Sequence, residues 1–108
     1  MEKSFASLIG KPVIVRANVA GVHCGIAIEI DGCSIHLKDA YRLWDYYTRD
    51  KTGSVSDIAA NGLILDKPNQ IGARLPSVLI VNKEGLEIAE MNDAAYQSFV
   101  ENDKKPKV

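Results

Sequence analysis

Alternation of apolar and polar positions governs the first half of the chain. Val13 to Asn18 alternates with a period of two, placing Val13, Val15 and Ala17 on one face and Ile14, Arg16 and Asn18 on the other; this is the pattern of a half-buried strand. The first set is taken as core, leaving Arg16 and Asn18 outward. A longer alternation runs from Val22 to Ile30 and resumes at Cys33, after the turn dipeptide Asp31-Gly32, which predicts a β-hairpin. With a two-residue turn and no bulge, Ile30 faces Cys33, Cys24 faces Asp39, Ala40 faces His23 and Arg42 faces Gly21. Val22, Cys24, Ile26, Ile28 and Ile30 then share a buried face with Cys33, Ile35 and Leu37. The other face carries His23, Gly25, Ala27 and Glu29 with Ser34, His36 and Lys38, and further on Arg42, Trp44 and Tyr46. Small residues opposite large ones leave room above Gly21, Gly25 and Ala40.

The remaining elements are shorter. Ser4 to Ile9 reads as a helical turn capped by Ser4 and ended by Gly10. Thr48 to Gly53 is a polar loop, and Ser54-Val55-Ser56-Asp57 fits a capping box that opens a short helix ended by Gly62. Leu63 to Leu65 is a candidate short strand, and Asp66 to Ala73 a connecting loop closed by Arg74. Val78–Val81 and Leu86–Glu90 predict a second hairpin about Asn82-Lys83-Glu84-Gly85, sitting centrally or covered by a partner subunit. Asn92 caps a helix through Val100 with Ala95, Tyr96, Phe99 and Val100 inward. The fold expected is α+β and β-rich: one domain over residues 1–102, with an antiparallel sheet or small partly open barrel of about five to six strands. Short helices accompany it, the C-terminal helix packs on the sheet, and residues 103–108 form a disordered tail.

Composition narrows the classes of function. The 108 residues carry 13 Lys+Arg against 14 Asp+Glu, a net charge of −1, so no overall basic field favours nucleic acid. No apolar run approaches the length of a membrane span, and the N-terminus lacks a secretory leader, so a cytoplasmic protein is expected. The hairpin register separates Cys24 and Cys33 by about 20 Å along the strands, too far for a disulfide. Both are expected as free thiols in the core, in keeping with a reducing compartment.

The candidate chemistry is that of binding rather than turnover. His23 and His36 are too far apart for a metal site and have only Glu29 nearby, so no metal or cofactor is expected. No nucleophile elbow and no glycine-rich phosphate loop occurs. Arg42-Leu43-Trp44-Asp45-Tyr46-Tyr47 stands apart. An exposed aromatic can stack on a flat base while an arginine forks onto a phosphate, with Arg16 and Arg74 as further donors. The same segment also fits an edge strand whose Trp44 and Tyr47 pack inward, or an oligomer contact built on an aromatic and an arginine. A bulge between Leu37 and Arg42 would exchange Trp44 for Leu43 and Tyr47 on the proposed face.

Val13-Ile14-Val15-Arg16, Ala20-Gly21-Val22-His23 followed by Gly25, Asp31-Gly32, Leu37 with Ala40, Arg42, Leu43 and Trp44, and Ser54-Val55-Ser56 together resemble a family of small phage and prophage proteins that includes Thoeris anti-defence protein 1. The resemblance spans roughly residues 10 to 65. Tyr41 stands where that family carries a first arginine, Arg42 keeps the second, Trp44 is retained, and Tyr46 replaces a later tryptophan. The resemblance implies a non-enzymatic, homo-oligomeric sponge for a nucleotide-derived immune signal, a cyclic ADP-ribose isomer or a cyclic oligonucleotide. Trp44 and Tyr46 would stack, Arg42 and Arg16 would hold phosphate, and His23 with Asn18 would bond ribose or base beside Gly21. A homo-oligomeric adaptor and a single-stranded nucleic-acid module remain the alternatives.

Overall fold

Period-two patterning becomes six antiparallel strands in the computed structural model, which describes residues 5–17, 20–31, 33–45, 55–65 and 69–104. A 3-10 turn over Phe5–Leu8 precedes β1 (Pro12–Ala17), β2 (Gly21–Ile30) and β3 (Ser34–Asp45). Helix α1 (Val55–Asn61), β4 (Gln70–Ile71), β5 (Leu75–Val81), β6 (Glu87–Glu90) and helix α2 (Asp93–Asp103) follow. The sheet runs β4-β3-β2-β1-β6, with β5 also paired to β3 beside β4. This is the expected α+β fold, and α2 lies on the sheet through Ala95 and Phe99, which are buried with Ile14, Cys24, Tyr41 and Leu43.

The hairpin register departs from the expected one first at its turn, where Ile30 pairs with Ile35 rather than Cys33, and then at two bulges. Ala27 pairs with Leu37 but Glu29 with His36, so Ile28 is an extra residue in β2; Cys24 pairs with Tyr41 but Ile26 with Lys38, so β3 carries an extra residue at Asp39-Ala40. Asp39 turns the corner at φ 49, a left-handed conformation that a bulge tolerates and asparagine or aspartate adopts most easily. Each bulge reverses the inward parity of its strand. Ile30 therefore joins Ile35 on one face while Cys24 stays on the other, and Ile28 is exposed. Cys24 and Cys33 are free thiols, but only Cys24 is buried.

Both faces of the sheet bury apolar side chains. One packs under the helices; the other gathers Val13, Val15, Ala17, Ala27, Ile35, Leu37, Ala40 and Ile80, with Leu86 and Ile88 against them. That second core draws on both β5 and β6, which the sequence pairs as a hairpin and the fold places at opposite edges. Across a flat sheet those edges would stand about 19 Å apart at the usual strand spacing. The link between them folds into a tight turn, with the Gly85 N–H donating to the Asn82 carbonyl at 2.9 Å. The sheet must therefore curl, and its concave side becomes a core.

Other boundaries shift locally. Leu63 to Leu65 is not a strand; Gln70–Ile71, within the expected loop, pairs with the far end of β3. Gly62 does end α1, at φ 77. There an added Cβ would lie 2.5 Å from Ser98 Oγ and 2.9 Å from Ala95 Cα, so glycine is needed twice over. Asn92 does not cap α2 with its side chain; its Nδ2 donates to the Ala60 carbonyl at 2.7 Å and ties α2 to α1. Helix α2 runs on to Asp103, past the expected end at Val100. The capping residues Ser4 and Ser54, the loop 48–53 and tail residues 105–108 lie outside the described residues.

Candidate functional site

Arg42 and Trp44 sit two apart on the last turnless stretch of β3, so they project from the same side of the sheet while Tyr41 and Leu43 go under the helices. Strand pairing sets Arg42 beside His23 and His23 beside Val15. Arg42, expected opposite Gly21, thus stands two residues further along β2, a displacement set at the turn because the two bulges lie on opposite strands and cancel. It still reaches that corner through its side chain: Nη2 donates to the Ala20 carbonyl at 3.1 Å. Its guanidinium carbon stands 5.9 Å from the Trp44 ring centroid, within range of a cation–π contact. Trp44 remains 64% exposed.

Gly72 forms the floor, and sequence reasoning passed over it. Its N–H donates to the Arg42 carbonyl at 2.8 Å, and a Cβ there would touch the indole at 3.4 Å and Arg42 Cβ at 3.6 Å. The indole therefore meets bare backbone at Gly72, has the Arg42 guanidinium over its ring, and keeps most of its surface in solvent. A two-residue strand is shorter than any periodic signal, and the neighbouring Pro, Asn and Gly read as a loop.

His23 lies beneath this corner at 5% exposure, with Nδ1 lacking a hydrogen-bond partner. Burial and then the Arg42 charge lower its pKa below the ordinary value of 6.5, so the imidazole is neutral at physiological pH. A folded pKa below the unfolded one makes the unfolded state the better proton binder, so stability is fully present above pH 6.5 and falls as pH drops below it. Thermal melts between pH 8 and pH 5 should show this loss, and His23→Gln should flatten the slope; parallel profiles would assign the acid sensitivity to other groups.

The rest of the expected set divides. Gly21 is exposed at the mouth of the corner, with φ 84 and open space where a Cβ would stand. The room expected above Gly25 and Ala40 is filled: Ala40 is fully buried, and a Cβ on Gly25 would meet the Lys38 carbonyl oxygen at 3.0 Å and Leu37 at 3.1 Å. Arg16 pairs with Val22 and so belongs to the opposite face. It binds Glu87 at 2.9 Å and lines an open cleft of about 340 Å³ with Asn82, Glu84, Gly85 and Leu86. Arg74 is exposed just before β5, where its charge acts on the phenols of Tyr41 and Tyr96 on the helix side. Asn18 and Tyr46 lie outside the described residues.

What the corner offers is an exposed aromatic plane, an anchored guanidinium and a neutral imidazole. Such groups bind a flat ring and an anion. Burial pushes the Cys24 thiol far up, so it stays protonated at neutral pH. Among the described residues no group of three or more His, Cys, Asp or Glu is placed to hold a metal ion, and no helix is long and apolar enough to cross a membrane.

No curated protein and no solved structure matches the chain. A family model described as a domain of unknown function, DUF6948, matches residues 10–99. That span runs from the lead-in to β1 to within α2, and with it the chain belongs to the DUF6948 family.

Proposed function

We propose that the protein binds a nucleotide-derived small molecule, a cyclic ADP-ribose isomer or a cyclic oligonucleotide, at the Arg42–Trp44 corner and holds it without degrading it. The observation that carries this reading is the exposed indole laid on Gly72 with the Arg42 guanidinium beside it. A base stacks on the exposed part of the indole, and the guanidinium, anchored at Ala20 by one nitrogen, offers its remaining donors to phosphate. The neutral His23 beneath adds no competing charge. In a phage-type setting the protein acts in the host cytoplasm as a homo-oligomeric anti-defence sponge, removing an immune signal by stoichiometry.

Calorimetric titration with cyclic ADP-ribose isomers and cyclic oligonucleotides, followed by heat release of the bound compound, tests it. Saturable binding and recovery of intact ligand are expected. Absence of binding to every member rejects the reading, and recovery of a cleaved product makes the protein an enzyme instead.

A further inference from the structure

We infer that His23 links the Arg42–Trp44 corner to pH: an anionic group held by Arg42 binds together with a proton taken up by the His23 imidazole. This deepens the function proposed above and rests on its phosphate contact alone. Strand register places His23 of β2 beside Arg42 of β3 and Val15 of β1, all on one face. The imidazole is buried and its Nδ1 has no hydrogen-bond partner, while Arg42 and Trp44 next to it are exposed. Buried polar atoms are nearly always paired, and a neutral imidazole keeps one basic nitrogen. A proton acceptor is thus held against a guanidinium, just under the surface.

The surroundings of the ring keep it neutral in the free protein. Burial, and then the Arg42 charge, hold its pKa below the ordinary value of 6.5, and among the described residues no carboxylate offsets them. On that face β1 presents Val15 and Ala17, β5 Val78 and Ile80, β6 Leu86 and Ile88, and the 3-10 turn Leu8, none of them titratable.

An anion on Arg42 reverses this balance. Bonded to the donors that the Ala20 carbonyl leaves unused, it cancels the repulsion from the guanidinium and adds an attraction, weakly screened in a corner poor in water. The imidazolium is then less disfavoured in the complex than in the free protein, so the complex is the better proton binder. Affinity for the anion accordingly rises as pH falls through the pKa of the complex, and levels off below that of the free protein, itself under 6.5. One proton limits the gain to about tenfold per pH unit. By reciprocity the anion raises the His23 pKa.

Proton NMR of the two histidine rings of the full chain tests this, titrated between pH 8 and pH 5 in sodium chloride and in sodium sulfate of equal ionic strength. Sulfate does not titrate in this range, and His36→Gln assigns the signals. Sulfate should move the His23 midpoint up by about one pH unit, while His36, on the other face of the sheet, reports the effect of salt alone. Arg42→Gln should raise the midpoint in chloride and erase the difference between the two salts. Calorimetry with cyclic diadenylate, whose phosphodiesters stay ionised throughout, should show tighter binding with proton uptake at the acid end. A His23 midpoint equal in both salts, or nucleotide binding without proton uptake, overturns the coupling and leaves the proposed function standing. A midpoint that responds to sulfate in a protein that binds no nucleotide keeps the coupling and rejects that function.

Discussion

Phe99→Ala is expected to cost about 3–5 kcal/mol of folding stability, the range for removing a buried aromatic ring from a packed core. Phe99 is fully buried at the point where α2 meets the sheet, against Tyr41 at a ring separation of 5.9 Å. Tyr41 in turn meets Tyr96 edge-on at 6.2 Å. Deleting the ring removes apolar burial and leaves a cavity that the two tyrosines can only partly fill. The Tyr41 hydroxyl already lacks a hydrogen-bond partner, so enlarging the space around it brings no compensating bond. A small domain is stable by only about 5–15 kcal/mol, and the loss should appear as a large fall in the urea midpoint at unchanged slope. Gln97→Ala, on the exposed side of the same helix, should stay within about 0.5 kcal/mol. Equal effects for the two would mean that α2 is not seated through Phe99.

The elements of the fold were legible because their patterns were long. The ten residues of β2 alternate plainly, Gly62 and Asn92 punctuate the helices, and α2 repeats its apolar positions every third or fourth residue. What escaped was set by tertiary pairing. A bulge leaves no mark on a strand's alternation until the partner strand is known: the one at Asp39-Ala40 lies in the stretch between Leu37 and Arg42 where the sequence allows it, but it does not exchange Trp44 for Leu43, because a second bulge at Ile28, which gave no sign, offsets it. β5 and β6 are joined by a turn that suits a hairpin, and only the curl of the sheet sends them to opposite edges. The site divided in the same way. Arg42, Trp44 and His23 were legible as chemistry-bearing residues at strand spacing, and the two bulges leave those three on one face. Arg16 is equally available by residue type, yet its parity carries it to the other face and Glu87 occupies it. Gly72 has no chemistry of its own, and its importance lies only in what rests on it.

Trp44→Ala should abolish most ligand binding while leaving the fold intact. Stacking of a base on an aromatic side chain contributes about 1–3 kcal/mol, so affinity should fall by roughly tenfold to a hundredfold. Stability should change little, because an indole that is 64% exposed gives up little burial when removed. Trp44→Phe should recover part of the affinity, since it restores a π-face of smaller area. Arg42→Lys separates the two functions of its neighbour: a lysine keeps the charge but loses the planar fork that lets one nitrogen hold Ala20 while others face an anion. It should therefore weaken binding of phosphate-bearing ligands more than binding of a neutral nucleoside. Gly72→Val should act from below, lifting the indole off its backbone floor, and so reduce affinity without removing either contact group. Full affinity in Trp44→Ala, with the oligomer unchanged, would move the site away from this corner.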